Sequence, residues 1–402
     1  MPENEQQKTK KDIVFMWLSG MQSPDFRTIN DFRKEMIEEI RGVFQEVLRI
    51  CIELKIIKCG KVSLDGTKVE AYSSRNKMEY RKSLEKRKTG YEEQIDRILE
   101  EAEQIDAEED ALYGDRDGYT LDRPVTEKEV RQAVKNINKR QARLQKKKKK
   151  LEEKKEVVEE KLKTMGTDRN SYSRTDEDAT FMQMKEGYLS PGYNIQMATE
   201  GQVILAYGVY QNRADVNLLR PMIDEVRTNM GELPEYICTD KGYGSQKNYE
   251  YIEELKKEGL NGAAIPHQNY DYDRVAINKG TYKLSKNMDY ERLKLKMMKF
   301  IGTEKGQYLL ERRKHDVEPT FGDIKYNMGY RKCLLRTMKK VNVEIGLMAI
   351  AHNIKKIRQY IEGGTLPPFS NAMNLLLNIL VNNILGMFRK LFPARYYLPA
   401  CG

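Results

Sequence analysis

Between residues 79 and 165 apolar side chains return at every seventh position. Leu84, Tyr91, Ile98 and Ile105 form one such series, with Ile95 and Ala102 filling a second seam. Val130, Ile137, Leu144, Leu151 and Val158 repeat the step further on. A seven-residue apolar repeat is the signature of long helices that bury a narrow stripe against a partner. The polar stretch GDRDGYTLDRPVT lies between the two series and carries Gly and Pro, so it reads as the turn of an antiparallel helical hairpin. The run Lys146 to Lys150 falls on the second arm, either as a solvated helix face or as a contact for a DNA backbone.

The hairpin interrupts a chain whose remaining segments read differently. Residues 12 to 58 read as two helices about a turn, with Phe32, Met36, Ile40, Phe44, Val47, Ile50 and Leu54 marking one apolar face of the second. KVSLDGTKVEAY reads as a strand interrupted at DGT, which would leave Asp65 at a strand end. After the hairpin, GYNIQMATEGQVILAYGVY gives two strands about Glu200 and Gly201, and DVNLLRPMIDEVRTNMG a helix closed by Gly231. YICTDKGYGS is a strand with Asp240 at its carboxyl end, followed by a helix and the strand GAAIPH. This alternation predicts an α/β fold with its site at the carboxyl ends of strands. Residues 269 to 310, rich in Tyr and Lys, give no clear pattern, whereas VNVEIGLMAIAHNIKKIRQYIE reads as a helix. The expected divisions are a helical unit over 1–60, a strand segment over 61–78, the hairpin over 79–165, the remaining α/β domain over 166–358, and an amphipathic tail over 359–402.

Charge narrows the function. The net charge is +10 with 33% charged residues, which favours a polyanionic partner such as nucleic acid or an acidic membrane surface. Five scattered cysteines without CxxC spacing, and only three histidines, argue against a zinc site or a disulfide framework. Any metal chemistry would rest on carboxylates and so on hard cations such as Mg²⁺. NAMNLLLNILVNNILGMF is broken by Asn374, Asn378, Asn382 and Asn383 at about one helical turn, which reads as an amphipathic helix rather than a membrane span. The polar first residues lack the apolar core of a secretory signal, so a cytoplasmic, nucleoid-associated location is expected.

Three carboxylates stand out: Asp65, Asp240, and Glu318 in RRKHDVEPTFGDIKYNMGYRK. Brought together, three such acids suffice to hold two divalent ions for phosphoryl transfer. Each also has a plainer reading, Asp65 as a turn residue, Asp240 as a loop residue ahead of a helix, and Glu318 as a surface salt-bridge acid. The cations around Glu318, among them Arg313, Lys314, Lys325 and Arg331, would hold phosphates, while Lys68 faces either phosphate or solvent. His352 lies on an apolar helix face, where a packed role outweighs a ligand role. Tyr193 and Asn194 either pack beneath the site or touch DNA.

SLDGTK, TDEDATFMQMKEGYLSPGYNIQ, TDKGYGS, VEPTFGDIKYNMGYRK and LMAIAHNIKK, in this order, resemble the DDE transposases of bacterial insertion sequences, in the branch with a helical hairpin after the first catalytic strand. The resemblance covers most of residues 12 to 358. It implies an RNase H-like catalytic domain whose metal-binding acids match Asp65, Asp240 and Glu318. Lys325 matches a DNA-contacting residue after six intervening positions. Lys314 stands where the family has an arginine, and lysine cannot make the bidentate phosphate fork. Also implied are two Mg²⁺ ions, with Mn²⁺ as a possible substitute, and double-stranded DNA as partner, both as the element's terminal inverted repeats and as target. The expected assembly is a homodimer in a synaptic complex, without a membrane. The N-terminal helices would be part of a DNA-binding unit, residues 269 to 310 lack the cysteine-bearing segment of many relatives, and LFPARYYLPACG has no counterpart. The competing expectation is a catalytically inactive, truncated or domesticated DNA-binding derivative.

Overall fold

The computed structural model describes residues 37–113 and 127–363, with a few isolated positions before them. The expected helix of residues 12 to 20, the expected hairpin turn and the asparagine-striped tail segment lie outside the described residues. The chain divides into two compact units, Met1–Arg75 with Asp178–Gly402, and Asn76–Glu177.

The first unit is built on a mixed sheet. Strands β1 (Lys61–Glu70), β4 (Thr180–Gln183), β5 (Leu189–Glu200), β6 (Val203–Tyr210), β7 (Tyr236–Cys238) and β8 (Gly262–Ala264) belong to it, while β2 (Met78–Tyr80) and β3 (Ser171–Ser173) pair separately in the second unit. β5 lies antiparallel to β1, β4 and β6, and β1, β7 and β8 run parallel. The β5 to β6 turn places Gly201 and Gln202 at positive φ, 56° and 70°, the twist a tight hairpin requires. This is the helix-flanked mixed α/β sheet that the resemblance implies.

One expectation is overturned. DGT does not interrupt the first strand: β1 pairs with β5 without a break from Ser63 to Glu70, so Asp65 sits mid-strand. The glycine serves a close approach rather than a turn. A Cβ on Gly66 would stand 2.1 Å from Gln196 Nε2 and 2.7 Å from Asp215 Oδ1.

Helices cover this sheet. α1 (Ile37–Glu53) buries Ile40, Val43, Phe44, Val47, Leu48, Ile50 and Cys51, a helical-period stripe, with Phe44 edge-on to Tyr207 at 5.0 Å. α4 (Leu219–Met230) ends at Gly231, whose φ of 76° closes the helix with its N–H on Arg227 O. α5 (Gln246–Lys257) is capped by Ser245, and α7 (Met288–Ile301) by Asn287. The stretch without a clear sequence pattern folds as α6 (Tyr270–Asn278), α7 and the first part of α8 (Glu304–Gly322).

α8 contains Pro319, which cannot donate to the carbonyl four residues back. Gln202 Nε2 donates to that His315 carbonyl instead, at 3.0 Å. A π-helical turn, Asp323–Asn327, follows. α9 (Met338–Glu362) completes the unit; the Asn353 side chain accepts from Ile204 N and donates to Ile204 O, both at 2.8 Å, pairing with β6 as another strand would. His352, fully buried, sits with Nδ1 2.8 Å from Asp323 and Nε2 2.8 Å from the Gln202 carbonyl, a packed and satisfied residue.

In the second unit, α2 (Arg81–Tyr113) and α3 (Glu127–Met165) run antiparallel. Leu84 clusters with Val158, and Ile105 with Ile137 and Leu144, all positions of the seven-residue series. Four of the five lysines from 146 to 150 are exposed.

Candidate active site

Parallel pairing aligns Lys61, Val62 and Ser63 of β1 with Tyr236, Ile237 and Cys238 of β7. Counting two residues past Ser63 and two past Cys238 reaches Asp65 and Asp240, so the register itself sets the two acids level where the strands part. β1 continues and β7 turns into a 3₁₀ turn, Lys241–Tyr243, which Asp240 caps by accepting from Gly242 N at 2.9 Å.

Alternation along β1 fixes what each face meets. Lys61, Ser63, Asp65 and Thr67 face α8 and the π turn. Lys61 Nζ pairs with Asp316 at 2.9 Å, Ser63 donates to Asp316 at 3.3 Å, Arg313 Nη1 donates to Asp65 Oδ2 at 3.0 Å, and Lys325 Nζ donates to Thr67 Oγ1 at 2.5 Å. On the other face the register sets Gly66 beside Gln196 and Lys68 beside Asn194. There Asp215 Oδ1 accepts from Asn194 Nδ2 at 2.7 Å and from Gln196 Nε2 at 2.6 Å, and Tyr243 donates to Gln196 Oε1. Tyr193 itself is core.

Electrostatics mark Asp65 and Asp240 as an interacting pair. Burial pushes the Asp65 carboxyl up to about 6; Arg313 and the Gly66 N–H resist, while the charges of Asp240 and Asp215 add to the rise. Asp240 is raised too, by burial first, then opposed by the Gly242 N–H and Arg313 and reinforced by Asp215; Lys68 lies near enough to lower it. Gly242 is part of this closeness, since a Cβ there would stand 3.0 Å from Asp240 Oδ1 and 3.2 Å from Asp215 Oδ2.

The structure thus brings Asp65 and Asp240 together with Asp215, Arg313 and Lys68. It does not bring Glu318 to them. Glu318 is exposed on α8, whereas Arg313, Asp316, Val317 and Thr320 line or approach the sheet, and no hydrogen bond or ion pair joins Glu318 to either aspartate. Lys314 is also exposed. Lys325 is half-buried, held additionally by the Lys68 carbonyl at 3.1 Å, and burial lowers its ammonium. Arg331 stacks over Tyr326 at 4.9 Å.

Asp215 and Gln196 escaped the sequence reading. Asp215 looked like the start of a helix. The usable signal was Asn194 and Gln196, two amides at strand period in a run otherwise apolar or small. For a metal ion, the donor chemistry fits: carboxylate oxygens with neither thiolate nor imidazole among them, suited to a hard divalent cation. The set is incomplete as it stands, because among the described residues no three His, Cys, Asp or Glu side chains are grouped to hold a metal.

The helix-flanked mixed sheet is that of a DDE-type transposase domain. The family model for the transposase DDE domain matches residues 62–354, well over half of the chain, and the chain belongs to that family. No curated protein and no solved structure matches it. Members of the family act on DNA with divalent metal ions. Among the described residues no helix is long and apolar enough to cross a membrane.

Proposed function

We propose that the chain cleaves the ends of a mobile DNA element, of the bacterial insertion-sequence type, and joins them to target DNA. The observation that carries this reading is the β1–β7 register that sets Asp65 level with Asp240. These two acids would hold divalent cations, Mg²⁺ or Mn²⁺, with Glu318 completing the set. When bound, such ions lower the pKa of the attacking water or 3′-hydroxyl and stabilise the leaving oxygen. The chain's own part is positional. Burial raises both carboxyls, Asp65 to about 6, so above that pH the poorly compensated Asp65 charge favours a cation over a proton.

Lys325, tied to Thr67 and the Lys68 carbonyl beside Asp65, would fix a DNA phosphate next to the reacting bond, and Lys68, Arg313, Lys314 and Arg331 would hold neighbouring phosphates. A homodimer pairing two ends, working in the nucleoid, completes the proposal. A duplex carrying the sequence that flanks the reading frame, with Mg²⁺ or Mn²⁺, is the substrate for the test. The parent should nick it, and Asp65→Asn, Asp240→Asn and Glu318→Gln should lose nicking by about a hundredfold or more. Equal nicking by all four rejects the assignment, and salt-sensitive binding without nicking under either ion selects an inactive DNA-binding derivative.

A further inference from the structure

Past Asp65, β1 runs on to Glu70 and there meets an exposed ledge of tyrosines and cations. Tyr72, Tyr188 and Tyr326 are 51%, 38% and 65% exposed. Each ring carries cations: Arg75 lies 4.5 Å from the Tyr188 centroid, Arg336 5.1 Å and Lys332 6.0 Å from that of Tyr72, and Arg331 4.9 Å from that of Tyr326.

The ledge is built, not fortuitous. Glu70 accepts from Arg75 Nη2 at 2.6 Å, and Arg75 Nε donates to Ser190 Oγ at 3.2 Å. Lys332 bridges to the Glu70 backbone, Cys333 N donates to Glu70 O at 2.8 Å, and Arg336 Nε donates to the Tyr72 carbonyl at 3.1 Å. The segments that carry the rings are thereby stitched to the end of β1.

We propose that this ledge binds unpaired nucleotides of a DNA strand, their bases stacking on the tyrosine rings and their phosphates meeting the guanidinium and ammonium groups. Cations alone would serve a duplex, whose bases are already stacked on one another. Exposed rings among cations serve a strand whose bases are free, because every base offers a π-face. Asp65 and Glu70 are five strand residues apart, about 17 Å, a span of a few unpaired nucleotides. Resting on the reading of Asp65 and Asp240 as the reacting centre, the ledge would hold the strand a few nucleotides from the cut.

The test measures binding, not cleavage. Fluorescence anisotropy of the full chain in EDTA compares a blunt duplex with the same duplex carrying a ten-nucleotide single-stranded extension. The extended probe should bind more tightly. Tyr72→Leu, Tyr188→Leu and Tyr326→Leu should each weaken it roughly fivefold or more while leaving the blunt duplex unchanged, with the Phe variants retaining affinity. Equal binding of both probes by the parent, or an equal loss on both in the Leu variants with unaltered melting, overturns the proposal. Because no metal is present, active ledge binding beside unaffected nicking in the acid variants would sink the assignment of the cleavage site alone.

Discussion

Asp65→Asn should stabilise this protein at neutral pH, although it removes a charge that is paired with Arg313. The Asp65 carboxyl, ordinarily near 3.8, is held at about 6. That gap corresponds to roughly 3 kcal/mol at about 1.4 kcal/mol per pH unit. The sign follows from linkage: with the folded-state value raised, the native protein keeps its proton longer than the unfolded chain does. Whatever stability Asp65 contributes is therefore full below about 4 and is lost as pH rises through about 6. An asparagine keeps an acceptor for Arg313 and removes the ionisation. Urea denaturation of parent and variant at a series of pH values from 4.5 to 8 isolates the effect, because all other titrating groups are common to both. The variant's advantage should grow from about 1 kcal/mol at pH 4.5 to about 3 kcal/mol, several degrees in Tm, and level off above about pH 6.5. A constant difference across that range would refute the claim that Asp65 is buried against uncompensated negative charge.

Asp323 gives the opposite sign. Burial would raise it, but hydrogen bonds from Lys355, Asn327 and His352 outweigh that and bring it to about 2. Asp323→Asn should cost roughly 2 kcal/mol at pH 7, with the cost vanishing as the parent loses that contribution between about 4 and 2 in acid denaturation. Gly66→Ala forces Gln196 off Asp215, and the expected loss is about 1–3 kcal/mol in urea unfolding together with nicking activity; an unchanged midpoint would deny the close approach. Arg313→Gln takes the cation off Asp65 Oδ2, so Mn²⁺ binding at pH 8, read by electron paramagnetic resonance, should tighten roughly tenfold, a value in keeping with about 1.5–3 kcal/mol for a charged hydrogen bond. Unaltered Mn²⁺ affinity would mean that Arg313 does not compete for that oxygen.

These contrasts indicate how far residue patterns reach. Where burial follows a period, the sequence was legible: the seven-residue series meets across α2 and α3. Where buried positions are polar, it was not. In residues 269 to 310 the face of α7 that turns inward includes Glu291 and Lys294, Lys294 being held by Asp273 and Glu291 at 3.2 Å each, so the apolar period fades although the helix is well anchored. Asp-Gly is a frequent turn signal, and the approach of Gln196 and Asp215 explains why Gly66 stands inside a strand.

The same distinction divides the three acids. Asp65 and Asp240 each lie two residues past the last β1–β7 pair, Ser63 with Cys238, so strand pairing places both, although β1 runs on past Asp65 where the sequence suggested a break. Glu318 depends on the rotation of α8, and that rotation is set by contacts remote in sequence: Arg313 with Asp65, Asp316 with Lys61 and Ser63, and Thr320 with the Gln202 carbonyl. With successive helix residues about 100° apart, a face holding residues 313, 316, 317 and 320 turns residue 318 away. For Glu318 to join the pair, Arg313 would have to leave Asp65 at the same time, since both ride on one rigid helix. The Arg313→Gln measurement therefore bears on Glu318 as well: if the added Mn²⁺ affinity disappears in Arg313→Gln combined with Glu318→Gln, but not in Arg313→Gln combined with Lys314→Gln, the glutamate is the ligand that the arginine keeps out.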